Sequence, residues 1–147
     1  MTRSHIVLLV EDNKNDVELT LRAFDKSKVV CEIIVARDGE EALEYLLATG
    51  SHAGRDPKRM AEVVLLDLKL PRMDGLSVLR RMRADERTRR IPVVILTSSN
   101  EEEDVAASYQ LGANSFVRKP VNFADFIESA RQIGLYWLAM NEPPRAS

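Results

Sequence analysis

Cysteine is nearly absent from the chain. Cys31 is the only one in 147 residues, so no internal disulfide can form, which fits a reducing compartment. Long apolar runs are missing too. None approaches the roughly 20 residues that cross a bilayer, and the N-terminal run, IVLLV, is too short for the core of a signal peptide. Charge of either sign is not in excess. The net formal charge of −2 gives no general electrostatic case for binding nucleic acid or an acidic membrane. Histidine is scarce, and His5 and His52 stand alone without the spacing of metal ligands. What remains is an ordinary globular composition, 45% hydrophobic and 30% charged, in a chain long enough for one domain with a sizeable core. A cytoplasmic protein is expected, with no membrane or nucleic-acid partner.

Five short apolar runs recur: IVLLV (6–10), CEIIVA (31–36), VVLL (63–66), VVIL (93–96) and SFV (115–117). The first, third and fourth are continuous rather than alternating, as in strands covered on both faces. Helix-like segments follow each run. Val17, Leu21 and Phe24 recur at helical spacing in 14–27. Asp38 and Glu41 resemble a capping box ahead of the stripe Ala42, Leu43, Leu46 and Leu47 in 38–49. In 75–86, Leu76, Leu79 and Met82 face one way and Arg80, Arg81 and Arg83 the other. Glu101 to Glu103 suit the N-terminus of a helix over 101–111, and Gly112 its stop. Phe123, Phe126, Ile127, Ala130 and Ile133 form the apolar face of 122–139. The segment 49–62 reads as a longer loop. Five βα units in series predict an α/β fold: a doubly wound, five-stranded parallel sheet with helices on both faces.

In such a sheet ligands bind at the C-terminal strand edges. Glu11 and Asp12 follow the first strand, and Asp67 ends the third. Thr97, Ser98 and Ser99 follow the fourth, and Lys119 with Pro120 the fifth. In the flavodoxin-like strand order 2-1-3-4-5 the acids share a pocket. Clustered carboxylates need a cation. Mg²⁺, held by one or two carboxylates, water and a phosphate, is the natural partner. A hydroxyl and an ammonium suit the far side of a phosphoryl group. Asp67, aimed by the central strand, is then the candidate nucleophile, forming an aspartyl phosphate.

The pieces VLLVEDN, ARDGEEAL, LLDLKLPRMDG, IPVVILTSS and SFVRKPV, in that order over about residues 5–130, resemble the receiver domain of two-component response regulators. The resemblance implies that Asp67 is phosphorylated by a histidine kinase or phosphotransfer protein. It implies that Glu11, Asp12, Asp67 and the backbone carbonyl of Lys69 surround Mg²⁺, and that Thr97 and Lys119 bind phosphoryl oxygens. It makes Phe116 the switch aromatic, turning inward as Thr97 moves toward the phosphate, and it implies a cis Lys119–Pro120 bond. A receiver domain over 1–135 followed by an extension over 136–147 is expected. The chain stops soon after the fifth helix, which points to a regulator without an output domain. The long second loop and the ending ESARQIGLYWLAMNEP are similar to regulators paired with phytochrome-type kinases, which dimerise through the fourth helix, fifth strand and fifth helix.

Blander readings stand beside these. Glu11 and Asp12 could serve a helix N-terminus, and Ser99 or Asn100 could cap the fourth helix. The run RRMRADERTRR (80–90) reads as the solvated face of the third helix rather than a nucleic-acid contact. Tyr136, Trp137 and Met140 suit either core or interface. The tail NEPPRAS is expected to fray. A Mg²⁺-dependent phosphatase would need an acid two residues after its nucleophile, and Lys69 stands there. A receiver-like module that binds partners independently of phosphorylation is the remaining alternative.

Overall fold

A computed structural model describes residues 5–26 and 29–142. Five strands, β1 (His5–Val10), β2 (Cys31–Ala36), β3 (Val63–Leu66), β4 (Val93–Thr97) and β5 (Ser115–Arg118), alternate with five helices. The helices are α1 (Lys14–Lys26), α2 (Gly39–Leu47), α3 (Gly75–Ala84), α4 (Glu102–Gln110) and α5 (Phe123–Gly134). The strands form one parallel sheet in the order β2-β1-β3-β4-β5. Every residue of β3 and β4 is buried. That burial is why these runs carry no polar alternation.

Successive side chains of a strand point to opposite faces, and the core divides accordingly. Leu8, Val10, Val64, Leu66 and Ile95 pack with α2 and α3 through Ala42, Leu46, Val78, Leu79 and Met82. Val7, Leu9, Leu65, Val94 and Leu96 pack on the other face with Val17 and Phe24 of α1 and Ile133 of α5. The result is a three-layer sandwich. No helix among the described residues is long and apolar enough to cross a membrane.

Glycine is required where α3 meets the sheet. A Cβ on Gly75 would lie 2.2 Å from the Asp67 carbonyl oxygen and 2.7 Å from Leu68 Cα. Only the bare backbone lets α3 start this close beneath the exit of β3. Side-chain caps fix three helix starts: Asp38 Oδ1 accepts from the Glu41 amide, Asp74 Oδ1 from Ser77 and Asn122 Oδ1 from Asp125.

Several expectations need correction. Leu21, on the helical stripe of α1, and Phe123, on the apolar face of α5, are both exposed. Phe123 is 52% exposed, standing at the first position of α5 before its packed face begins. Neither Ser99 nor Asn100 caps α4; the cap position is Glu101, without a side-chain bond, and the buried Ser99 hydroxyl pairs with Asp104 instead. Arg80 and Arg81 are solvated, but Arg83 folds back against the protein. Its guanidinium donates to the carbonyls of Gly112, Arg89 and Ile91 and to Asn114 Oδ1, tying α3 to the bases of β4 and β5. The 49–62 loop contains a 3-10 turn, Gly50–His52, and is stapled by Arg55, which donates to the carbonyls of Tyr45, Leu46 and Arg59. The last helix passes into a π-helical stretch, Leu135–Met140, that leaves Met140 75% exposed while Trp137 packs on the core. Residues 143–147 of the tail lie outside the described residues.

Candidate functional site

The sheet ladders deliver the polar residues to one edge. The amides of Glu11, Asp67 and Lys119 each donate to a carbonyl of the neighbouring strand: Ala36 (2.9 Å), Val10 (3.1 Å) and Thr97 (2.7 Å). Each residue therefore sits one step past the end of its own strand with its backbone still in register. Thr97 is the last residue of β4.

The side chains converge. One carboxylate oxygen from each of Glu11, Asp12 and Asp67 lies within 4.8 Å of the others. Glu11 and Asp67 are buried and Asp12 is exposed. Thr97 Oγ1 donates to Asp67 Oδ1 at 2.7 Å, and the Lys69 amide reaches the same oxygen at 3.3 Å. Lys119 Nζ donates to Asp67 Oδ2 at 3.1 Å, to Asp16 Oδ2 at 2.8 Å and, very closely, to Glu11 Oε1. Of the hydroxyl cluster, only Thr97 turns to the acid; Ser98 is exposed and Ser99 points to α4. Phe116 pairs with Ile95 across the sheet and is half-buried against the core. The Lys119–Pro120 bond is trans, as no described peptide bond is cis. That corrects the expected cis form and agrees with the ordinary preference of X–Pro bonds.

Three carboxylates, Glu11, Asp16 and Asp67, thus contact one ammonium, and Asp12 stands beside them. Burial pushes Glu11 up from 4.5 to about 7; Lys119 opposes the shift and the charge of Asp67 adds to it. Burial also disfavours the charge on Lys119. The hydrogen bonds it donates to Asp16 and Glu11 and the charge of Asp67 outweigh burial and hold the ammonium above its ordinary range. A pocket that one lysine does not neutralise, lined by hard oxygen donors, could hold a divalent metal through Glu11, Asp12 and Asp67. Beside it opens a cleft of about 590 Å³ lined by Asp12, Lys69, Pro71, Leu76, Glu101 and Asp104.

Sequence reasoning missed Asp16. It lies in the first turn of α1, where Asn13 Oδ1 accepts from its amide at 3.0 Å, and it is not at a strand end. The available signal was its place one turn into the helix that follows Glu11 and Asp12.

Comparison with known proteins bears on this arrangement. The model of the response regulator receiver domain matches residues 7–131. The chain is 43% identical, over 95% of its length and 87% of the relative's, to the probable methanogenesis regulatory protein FilR2 of Methanothrix harundinacea. It is 37% identical, over 96% of its length and 94% of the relative's, to response regulator Rcp1 of Synechocystis. The Mn²⁺-bound crystal form of Rcp1 superposes with a TM-score of 0.89 at 35% identity, over 96% of this chain and 99% of that one. The phosphorylated cyanobacterial phytochrome response regulator RcpA superposes with a TM-score of 0.91 at 36% identity, over 97% and 100%.

Proposed function

The chain belongs to the response regulator receiver family, and from that premise we propose that Asp67 is its phosphoacceptor, taking a phosphoryl group from a phosphohistidine of a histidine kinase. The observation that carries this reading is the pairing of Asp67 by Thr97 at one oxygen and Lys119 at the other, at the mouth of an acidic cluster. A carboxylate oxygen of Asp67 attacks phosphorus. The P–O bond forms as the P–N bond to the histidine breaks, and the leaving imidazole takes up a proton. Lys119 and Thr97, already within hydrogen-bond reach of the nucleophile, transfer their donors to the incoming phosphoryl oxygens.

Glu11, Asp12 and Asp67, with the Lys69 carbonyl, are the residues that would hold Mg²⁺. When bound, that ion neutralises charge on the phosphoryl oxygens. The Mn²⁺-bound form of Rcp1 supports a divalent site of this kind. Hydrolysis by water ends the signal, and this is the only turnover expected of the chain.

Phosphorylation draws Thr97 off Asp67, and Phe116 moves from its half-buried position into the space this opens. The shift biases the face made by α4, β5 and α5 between two states. Exposed Tyr109 of α4 and Phe123 of α5, with Tyr136 and Met140 in the π-helical stretch that continues α5, suit a homodimer contact. The likeness to RcpA supports a phytochrome-type kinase as phosphoryl donor. Incubation with acetyl phosphate or phosphoramidate tests the reading. Labelling should need Mg²⁺ and vanish in Asp67→Asn; a receiver-like module that works without phosphorylation would stay unlabelled and bind its partners regardless.

A further inference from the structure

The loop joining β3 to α3 has an unusual backbone. Arg72 has φ +66°, a region that non-glycine residues seldom adopt. Across it the Met73 amide donates to the Pro71 carbonyl at 2.7 Å. A three-residue turn about a positive central φ is the strained form of the γ-turn, and it persists only where its surroundings hold it.

Two contacts do so, both at the start of α2. Arg72 Nη2 donates to Asp38 Oδ2 at 2.9 Å and lies 3.6 Å from Glu40 Oε2. Asp38 is itself fixed, because its other oxygen caps α2 by accepting from Glu41 at 2.9 Å. Beneath the turn, Met73 presses on α2 so closely that a Cβ on Gly39 would lie 2.2 Å from the Met73 carbonyl oxygen. At its base the loop is closed by the Gly75 amide, which donates to the Leu68 carbonyl at 2.9 Å. Lys69 lies between base and tip, with its amide on Asp67.

We propose that Arg72 is a positioning residue for the divalent metal. Its ion pair with the cap of α2 holds the strained turn and so fixes the backbone of Lys69, whose carbonyl would be a ligand of the ion. This rests on the reading of Glu11, Asp12, Asp67 and Lys69 as the metal site. The Arg72 side chain is 59% exposed, so the pair adds little to global stability. A metal-binding effect is therefore separable from a folding effect.

The test is calorimetric titration of Mn²⁺ into the wild-type chain and into Arg72→Ala, Asp38→Asn, the double variant and Arg72→Gly. Asparagine at 38 keeps the capping oxygen. Each single substitution of the pair should weaken Mn²⁺ binding about threefold, the scale of one exposed ion pair, with the urea midpoint of Arg72→Ala nearly unchanged. The double variant should bind no more weakly than the singles, and Arg72→Gly, which relieves the strain, should lose less than Arg72→Ala. At saturating metal, phosphoryl labelling should return to the wild-type rate. Equal affinity in wild type and Arg72→Ala, or losses that add in the double variant, would overturn the proposal. A wild-type chain that takes up no Mn²⁺ overturns the metal reading itself and this inference with it.

Discussion

Replacing Lys119 with methionine removes the only ammonium that touches the acidic cluster among the described residues, while keeping an apolar stem in its place. The Lys119 side chain is 7% exposed, and its partners Glu11, Asp67 and Asp16 are 3%, 10% and 26% exposed. Removing one partner of a buried pair costs about 3–5 kcal/mol, because the charge left behind is unpaired. For a domain whose whole stability is about 5–15 kcal/mol, that is a large share. The loss should be measured by urea unfolding at pH 8, where Glu11 is ionised, in EDTA and again in MgCl₂. An ion present at a hundred times its dissociation constant stabilises by about 2.7 kcal/mol. In wild type it must compete with Lys119 for Glu11 and Asp67, and in Lys119→Met it need not. The gain from Mg²⁺ should therefore be larger in the variant, and the cost in EDTA should shrink at pH 5 as the acids protonate. A cost below about 1 kcal/mol in EDTA, or equal gains from Mg²⁺ in both proteins, would refute the reasoning.

Glu11 keeps its proton in the folded chain up to about pH 7 but releases it near 4.5 when unfolded. Between those values the native state holds more protons, so its contribution to stability is full below pH 4.5 and is lost as pH rises through 7. In metal-free buffer, the stability of wild type relative to Glu11→Gln should fall by up to about 3 kcal/mol from pH 4.5 to 8; a flat difference contradicts the burial argument. Thr97→Ala loses one hydrogen bond to a charged group, about 1.5 kcal/mol, and should slow labelling by acetyl phosphate roughly tenfold; an unchanged rate in stopped time courses removes Thr97 from the site. Arg83→Met strands the carbonyls of Gly112, Arg89 and Ile91 and should cost about 2–4 kcal/mol in urea unfolding, whereas a loss under about 0.5 kcal/mol would mean that water replaces the guanidinium fully.

The central strands and the meeting of their polar ends were legible for one reason: continuous apolar runs in β1, β3 and β4 that end on carboxylates and a hydroxyl. A buried strand ending on Asp67 is costly without partners, so the sequence itself asked for Lys119 and a cation. Topology then required no more than the register to bring them together. Asp16 was hidden because a helix, and not a strand end, carries it. Arg83 was hidden because a guanidinium that serves backbone carbonyls looks the same in a sequence as one that faces water. Phe123 followed the helical period, but periodicity does not say where a packed face begins. The strain at Arg72 left no mark in the sequence, since arginine is not a residue that signals a positive φ.

The most direct measurement locates the phosphoryl group. After labelling with acetyl phosphate and Mg²⁺, reduction with borohydride converts an aspartyl phosphate to homoserine, and tandem mass spectrometry reads its position. Homoserine at residue 67 alone is the expected result. Homoserine at Asp12 or Asp16, or none anywhere in a folded and metal-loaded chain, would contradict it.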